Sequence, residues 1–288
     1  MDLTSPKNIK DILTKYGARP SKGLGQNFLI DKNILDKIIT AGELKPNDVV
    51  LEIGPGIGTL TQKLAESGRK IIAVEKDKVM CEILKETLAE YSAQGGPSSG
   101  WKNIEIINAD ILKSQIPISN DQNYKIIANL PYYITSPVIR KFLEAENPPE
   151  FMVLMLQKEV AQRICANPPD MSLLSVSVQF YAEPEIISYV SKNCFLPAPK
   201  VDSAIIKIMP KTVRDPISHE LFFKIVKAGF SQPRKQLAPN LSKMLKISKE
   251  ETINWLAKNN IDPKQRAETL SVQDWENLAK SYPQAGGV

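Results

Sequence analysis

Residues 48–61 read DVVLEIGPGIGTLT, and this stretch decides the fold of the 288-residue chain. Its apolar first half predicts a buried parallel strand, its glycines predict a tight turn, and a helix is expected from Thr59 onwards. Glycine at positions 54, 56 and 58 lets the backbone turn sharply and lets a ligand approach without interference from a Cβ atom. We therefore count Gly54 and Gly56 among the cofactor-binding residues of a Rossmann-like α/β sheet.

The spacing of these glycines narrows the choice of ligand. The pattern is GxGxG, and Thr59 stands where a dinucleotide-binding fingerprint has its third glycine, which disfavours a dehydrogenase. Pro55 between two glycines suits a nucleoside with an amino-acid tail. The next strand, residues 70–75, ends in Glu75, 21 residues after Gly54, where a carboxylate can accept hydrogen bonds from both ribose hydroxyls. The combination predicts a ribonucleoside cofactor.

Polar side chains also follow the next two predicted strands. Residues 104–108 are followed closely by Asp110, and the apolar run 124–128 is followed by Asn129. Each residue by itself is more often a turn former. Because ligands bind at the carboxyl ends of the strands in a doubly wound sheet, Glu75, Asp110 and Asn129 are expected to line one crevice.

The stretch Asn129-Leu130-Pro131-Tyr132 is the candidate catalytic motif. Pro131 cannot donate a ladder hydrogen bond, so the strand should end there and the carbonyl of Leu130 should point into the crevice. A side-chain amide, a free carbonyl and an aromatic ring are the groups needed to hold a flat nitrogenous base. In isolation, the same four residues are more typical of a plain strand end with an Asn turn.

Composition limits the other possibilities. With 42% hydrophobic and 24% charged residues, three widely spaced cysteines and one histidine, the chain is typical of a cytoplasmic globular protein. No apolar run approaches the roughly 18 residues that a membrane span requires, and residues 1–10 are polar, so no membrane partner is expected. The single histidine excludes most His-dependent triads and His-rich metal sites, and we expect no metal.

The chain is predicted to divide into residues 1–210, a catalytic domain, and residues 211–288, a small all-α domain. The second part holds 13 Lys and Arg against 8 Asp and Glu, while the first part is balanced at 24 against 24. Such a surplus suggests an anionic partner such as nucleic acid, although it is also common on solvated surfaces. The candidate phosphate-binding residues are Lys224, Lys227, Arg234 and Lys235.

Two further strands are expected late in the predicted catalytic domain. Residues 174–181 and 201–209 are predicted as the last two, and because no helix is predicted between them they should form an antiparallel hairpin at the sheet edge. Residues 94–100 (QGGPSSG) predict a surface loop, and residues 211–216 predict a linker.

Taken together, the motifs resemble those of the ribosomal RNA adenine N6,N6-dimethyltransferase family, within the wider group of S-adenosylmethionine (SAM) methyltransferases. The resemblance runs from about Gly23 to Asn240. Its pieces are GQNFL at residues 25–29, EIGPG at 52–56, VE at 74–75, NAD at 108–110, NLPYY at 129–133, FLPAPKVDS at 195–203 and FSQPRK at 230–235.

The resemblance implies a seven-stranded sheet that includes this hairpin, and also a cofactor, a substrate and a set of contacts. SAM would be held by Asn27, Leu29, Gly54, Glu75, Asp110 and Asn129. The reaction would be dimethylation of two neighbouring adenines near the 3′ end of small-subunit rRNA during ribosome assembly, carried out by a monomer on a pre-30S particle, with the helical domain facing RNA. Similar proteins usually read Arg-Arg-Lys after Phe-Ser-Gln, whereas this chain has Pro233 in place of the first Arg.

For this chemistry the expected catalytic residues are Asn129, Leu130, Pro131, Tyr132 and Phe195. The Asn129 oxygen and the Leu130 carbonyl would orient the adenine N6 amino group, and Tyr132 would stack on one face of the base. Phe195 would cover the other face, or would instead be a core residue beside Pro197. Two rival functions are a large-subunit rRNA methyltransferase of the antibiotic-resistance type and a non-catalytic RNA-binding assembly factor.

Overall fold

A mixed seven-stranded sheet organises the chain in a computed structural model, which describes residues 1–21, 23–66, 70–93, 103–115, 117–119, 122–211 and 218–283. The predicted loop at 94–100 and, apart from Lys211, the predicted linker lie outside these residues. In chain order the strands are β1 (Phe28–Leu29), β2 (Val49–Ile53), β3 (Lys70–Glu75), β4 (Ile104–Asn108), β5 (Lys125–Asn129), β6 (Met152–Gln157), β7 (Ala182–Val190), β8 (Phe195–Leu196) and β9 (Ser203–Pro210).

Strands β1 and β8 pair with each other in a separate antiparallel two-stranded ribbon. The strand order in the large sheet is β4-β3-β2-β5-β6-β9-β7. The pairs β3/β4, β2/β3, β2/β5 and β5/β6 are parallel, and β9 is antiparallel to β6. The register places Glu75 opposite Asn108 and Asn129 opposite Met155. The parallel strands therefore end along one edge, where a doubly wound sheet binds its ligand.

Several helices begin where a side chain caps the first turn. In chain order the helices are α1 (Pro6–Lys15), α2 (Lys32–Ala41), α3 (Thr59–Ala65), α4 (Lys78–Ala93), α5 (Thr135–Leu143), α6 (Lys158–Ile164), α7 (Leu173–Tyr181), α8 (His219–Gly229), α9 (Leu237–Leu245), α10 (Lys249–Lys258) and α11 (Val272–Lys280). The Asp31 carboxylate, for example, accepts hydrogen bonds from the first-turn N–H groups of Asn33 and Ile34. No helix in the described ranges is long and apolar enough to cross a bilayer.

The prediction of a strand at residues 174–181 is wrong, because this segment is helix α7. The Ser172 hydroxyl accepts the N–H of Ser175 while the Ser175 hydroxyl accepts the N–H of Ser172, and this capping box starts a helix despite the β-branched residues that follow. The strand is β7, immediately after the helix. It tolerates Pro184 because it lies at the edge of the sheet. The other predicted strand is confirmed as β9, the neighbour of β7.

Two apolar clusters fix the position of the glycine turn. The larger cluster surrounds the sheet and includes Val50, Ile71 and Ile127, all fully buried. The smaller one joins the N-terminal segment to the turn, since Leu3 and Ile9 pack in the same cluster as Ile57. Burial of these side chains supplies the driving force that holds the turn in a single conformation.

By backbone contacts the chain forms two compact units. The first comprises Met1–Ala161 and Glu185–Pro210, and the second comprises Gln162–Pro184 and Lys211–Val288. The second unit thus includes α7 as well as the C-terminal helices. It contains an aromatic cluster in which the Phe180 and Phe222 rings stack with centroids 4.0 Å apart. The division at residue 210 that the sequence suggests remains a prediction about separate catalytic and RNA-binding roles.

Candidate active site

The glycine turn after β2 forms one wall of a crevice at the carboxyl edge of the sheet. Gly54 and Gly56 have φ angles of 68° and 58°, in the left-handed region that favours glycine. Gly58 has a φ of 95°, and a Cβ added there would lie 2.6 Å from Cδ1 of Leu84. The crevice is lined by residues 24–29, 52–56, 59–60, 74–76, 109–112 and 129–134.

Glu75 lies at the end of β3 with its carboxylate against the glycine turn. One oxygen accepts the N–H of Gly56 at 3.1 Å and the other accepts the N–H of Asp77 at 2.8 Å. The side chain is buried, and this burial raises the pKa of the carboxyl group, which the two backbone donors oppose. The hydrogen bonds hold the carboxylate in one orientation at the crevice, as the predicted ribose-binding role requires.

Asp110 follows β4 on the same edge. It pairs with the Lys76 ammonium at 3.1 Å and accepts the N–H of Leu112 at 3.0 Å. The Leu112 hydrogen bond, and after it the Lys76 pair, hold the pKa of Asp110 below its usual range. The carboxylate is therefore ionised at neutral pH and can accept a hydrogen bond from a ligand. The structure brings Glu75, Asp110 and Asn129 into one crevice, as the sequence predicts.

Asn129 is the last residue of β5, and its amide has a defined orientation. Nδ2 lies 3.2 Å from the carbonyl oxygen of Asn27, which can only accept a hydrogen bond. The NH₂ group must therefore face Asn27, because the reverse orientation would place two acceptors together. Oδ1 is left with no donor among the described residues, so it can accept a hydrogen bond from a ligand amine.

Leu130 and Pro131 directly follow strand β5 at the edge of the sheet. The Leu130 N–H still donates to the carbonyl of Met155 at 3.0 Å, and its side chain is buried. The ring of Pro131 then packs against two glycines, since a Cβ added to Gly25 or Gly54 would lie 3.5 or 3.4 Å from it. These contacts bring the glycine turn, the loop before β1 and the candidate catalytic motif together.

Tyr132 begins a short 3₁₀ helix, Tyr132–Ile134, and lines the crevice. Its hydroxyl lies 2.8 Å from the hydroxyl of Ser203, at the start of β9. Burial raises the pKa of the phenol, so the ring is neutral at physiological pH. With its tip fixed and its body half-buried, Tyr132 is a rigid platform. Its neighbour Tyr133 is 52% exposed on the same rim.

The loop before β1 supplies Asn27 and Leu29. The Asn27 carbonyl receives the Asn129 amide, while the Asn27 side chain donates to the carbonyl of Gly25 at 3.1 Å. Gln26, a residue that sequence reasoning missed, bonds Asp77 at 3.0 Å and the N–H of Ser21 at 2.8 Å. Gln26 thereby fastens the loop to the start of α4. The available signal was its place in the motif GQNFL at residues 25–29.

The placement of Phe195 does not support its predicted role as a cover for the base. Phe195 pairs with Leu29 in the β1/β8 ribbon and is 3% exposed within the main apolar cluster. It does not line the crevice. Pairing of the two short strands turns its ring towards the core, and this favours the alternative of a core residue.

Glu52 is a second residue that sequence reasoning passed over. It is 1% exposed in the middle of the sheet, and it lines the crevice. Burial raises the pKa of its carboxyl group to about 8, and the charge of Glu75 adds to this rise. The detectable signal was an acid inside the apolar run VVLEI. The described residues contain no group of three or more His, Cys, Asp or Glu side chains arranged to hold a metal.

The four predicted phosphate-binding residues lie exposed in the second unit. Lys224 and Lys227 are on α8, and Arg234 and Lys235 are in the turn that follows it. The Lys235 N–H donates to the carbonyl of Gln232 at 2.9 Å, which places Pro233 inside a tight turn. The buried Asn240 amide donates to the carbonyls of Gly229 and Gln232 at 2.9 and 3.0 Å. This turn therefore presents Arg234 and Lys235 to solvent.

Comparison with known proteins adds independent findings. A family model described as "Ribosomal RNA adenine dimethylase" matches residues 18–284. The chain is 44% identical to ribosomal RNA small subunit methyltransferase A of Dehalococcoides mccartyi (strain CBDB1), over 95% of this chain and 92% of the relative. It is 42% identical to the protein of that name from Alkaliphilus metalliredigens (strain QYMF), over 96% and 97%.

Two solved structures are also similar. One is a dimethyladenosine transferase from Plasmodium falciparum, with a TM-score of 0.73, 29% identity, and coverage of 87% of this chain and 95% of that chain. The other is the 23S rRNA methyltransferase ErmE, with a TM-score of 0.70, 27% identity, and coverage of 90% and 100%.

Proposed function

Because the chain belongs to the ribosomal RNA adenine dimethylase family, we propose that it uses SAM to dimethylate N6 of two adjacent adenosines near the 3′ end of small-subunit (16S) rRNA. The modification would take place in the cytoplasm during ribosome biogenesis, with a monomer acting on a pre-30S particle. The observation that carries the proposal is the orientation of Asn129, whose Oδ1 is left to accept a hydrogen bond from an exocyclic amine.

The crevice fits a nucleoside with a charged tail. Glu52 and Thr59 are among the residues that line it. Oε2 of Glu52 and Oγ1 of Thr59 are buried and have no hydrogen-bond partner among the described residues. Buried polar atoms without partners are costly unless a ligand or water satisfies them. Glu75 and Asp110 would hold the nucleoside part of SAM, with Asn27, Leu29, Gly54, Gly56 and Asn129 around the rest. SAM, when bound, supplies an electrophilic methyl group.

Adenine N6 is a weak nucleophile because its lone pair is delocalised into the ring. Hydrogen bonds from its two N–H groups to Asn129 Oδ1 and to the Leu130 carbonyl would favour a pyramidal nitrogen and keep its lone pair directed at the methyl donor. Holding the two reactants in line is a proximity effect that supplies much of the acceleration. No strong base is needed, which agrees with the presence of a single histidine in the sequence.

The target base must leave its stack to reach this site. Unstacking costs a few kcal/mol, and stacking on an aromatic side chain returns about 1–3 kcal/mol. Tyr132, fixed through Ser203, would supply the platform on one face. With Phe195 in the core, the sequence-based expectation of a second ring from that position is withdrawn, and Tyr132 carries the stacking role alone.

Binding of the wider RNA would use the second unit. Lys224, Lys227, Arg234 and Lys235 are exposed on α8 and the following turn, and we propose that they contact phosphates. Pro233 removes one cation that similar proteins have. Its turn still leaves Arg234 and Lys235 exposed, so phosphate binding should be retained with one contact fewer.

The test is transfer of labelled methyl groups from SAM to small and large ribosomal subunits from a strain that lacks the modification. The expected result is N6,N6-dimethyladenosine in small-subunit rRNA only, with Asn129→Ala inactive. Label in large-subunit rRNA would instead support methylation of 23S rRNA, the activity for which ErmE is named. Wild-type protein that binds particles but transfers no methyl group would support a non-catalytic assembly factor.

A further inference from the structure

We propose that a second surface on the first unit, beside the catalytic crevice, binds the RNA strand flanking the target adenosine. The inference rests on the proposed function and goes beyond the lysines of the second unit. We call it the Tyr189 surface, and it consists of an exposed apolar group with lysines around it: Lys158, Ile187, Tyr189, Lys192, Lys200 and Val201.

A chain of contacts connects this surface to the catalytic tyrosine. The Tyr132 hydroxyl bonds Ser203 at 2.8 Å, and Ser203 pairs with Gln157, the residue before Lys158. The Lys158 N–H then donates to the carbonyl of Asp202 at 3.0 Å. The surface therefore begins within a few residues of the platform on which the target base would stack.

The apolar members are exposed where burial would be expected. Tyr189 is 51% exposed and Ile187 is 38% exposed, two residues apart and hence on the same face of β7. Val201, 46% exposed, precedes β9, the neighbour of β7. An exposed aromatic and aliphatic group on a sheet edge usually marks a binding site, because it otherwise favours aggregation.

The charges around Tyr189 favour RNA as the occupant. The Lys158 ammonium lies 5.0 Å from the centroid of the Tyr189 ring and forms no ion pair with any described residue. Lys192 and Lys200 are exposed on the adjoining segments, and the Asp202 carboxylate, two residues after Lys200, accepts the backbone N–H of Lys192 at 3.0 Å.

An aromatic ring with a lysine over one face leaves its other face for a nucleobase, while the lysines attract phosphates. Glu185 lies two residues before Ile187, on the same face of β7, and its negative charge marks the end of the RNA-binding surface there. A single strand lying on Tyr189 with its backbone near the lysines satisfies both the apolar and the charged parts of this surface.

The experiment compares wild type with Tyr189→Ala, Tyr189→Phe and Lys158→Ala on unmethylated small-subunit particles. Tyr189→Ala should lower kcat/KM about ten-fold, mainly through KM, whereas Tyr189→Phe keeps the ring and should behave as wild type. Lys158→Ala should reduce the slope of log affinity against log salt by about one. The matched control is Lys85→Ala. Lys85 is an exposed lysine paired with Glu82, and its replacement should change neither kcat/KM nor the salt dependence of binding.

Two further measurements distinguish a failure of the Tyr189 surface from a failure of the proposed function. SAM affinity, measured by calorimetry, should be unchanged in Tyr189→Ala, and a parallel loss of SAM affinity would overturn the proposal by showing a structural role. Direct binding to small-subunit rRNA without methyl transfer should also weaken about ten-fold. If wild type transfers no methyl group but Tyr189→Ala still weakens rRNA binding, the proposed function fails and the Tyr189 surface stands. Unchanged rRNA binding and unchanged kcat/KM in Tyr189→Ala would refute the proposal that the Tyr189 surface binds RNA.

Discussion

Replacing Glu52 by Gln is expected to remove a strong pH dependence from the stability of the first unit. Glu52 is 1% exposed, and its Oε2 has no hydrogen-bond partner among the described residues. Burial raises the pKa of its carboxyl group from 4.5 to about 8. Glutamine has nearly the same shape and cannot ionise, so it isolates the effect of the proton.

The sign and size of this pH dependence follow from the linkage between proton binding and folding. Between pH 4.5 and about 8 the folded protein holds a proton at Glu52 that the unfolded chain has lost. The stabilisation is therefore complete below pH 4.5 and is lost as pH rises through about 8, at about 1.4 kcal/mol per pH unit. From pH 5.5 to 7.5 the free energy of unfolding of the wild type should fall by roughly 3 kcal/mol relative to Glu52→Gln.

The assay is hydrogen exchange of the β2 and β3 amides at increasing urea, at pH 5.5, 6.5 and 7.5. It reports on the first unit alone, and comparing two proteins at each pH cancels the intrinsic exchange rate. Glu82→Gln, a change at a side chain 50% exposed on α4, is the control and should leave the pH dependence unaltered. A difference between wild type and Glu52→Gln that stays constant across pH would refute the reasoning.

Two other substitutions test the crevice, and a third tests the glycine turn beside it. Tyr132→Ala should lower kcat/KM for RNA about 10- to 100-fold with near-normal SAM affinity, because stacking is worth about 1–3 kcal/mol per base; full activity would rule out the stacking role. Glu75→Ala should raise the Kd for SAM about 10- to 100-fold, since hydrogen bonds to a charged group are worth about 1.5–3 kcal/mol. An unchanged calorimetric Kd would remove Glu75 from the cofactor site. Gly58→Ala should destabilise the first unit by at least about 1 kcal/mol, measured by the same exchange assay, because its φ is 95° and the new Cβ would meet Leu84; wild-type exchange would show that Leu84 moves aside without cost.

Much of the cofactor crevice could be predicted because its signals are local. Gly54 and Gly56 are needed for left-handed backbone within a few residues of a buried strand, and Glu75 and Asp110 follow directly after strands. Once the strands are parallel, their ends must share one edge, so three separate stretches of sequence predict one site.

Local patterns predicted secondary structure less reliably where strand propensity and helix capping compete. Residues 173–181 contain Val and aromatic residues that favour a strand, yet the Ser172 and Ser175 capping box starts a helix there. The true strand, β7, was missed because it contains Pro184 between Glu183 and Glu185, and these residue types argue against a central strand. They are acceptable only at an edge, and no local pattern reveals which strand will be the edge.

The sequence by itself determined the Rossmann-like fold, the order of strands β2 to β5 and the residues at their ends, because a glycine turn and strand periodicity act over short distances. Only the tertiary structure decided which groups face one another across the crevice. It turned Phe195 into the core, placed the carbonyl of Asn27 against the amide of Asn129, and set Lys158 over Tyr189. Those choices depend on packing and hydrogen bonding between segments far apart in the chain, and no spacing along the sequence records them.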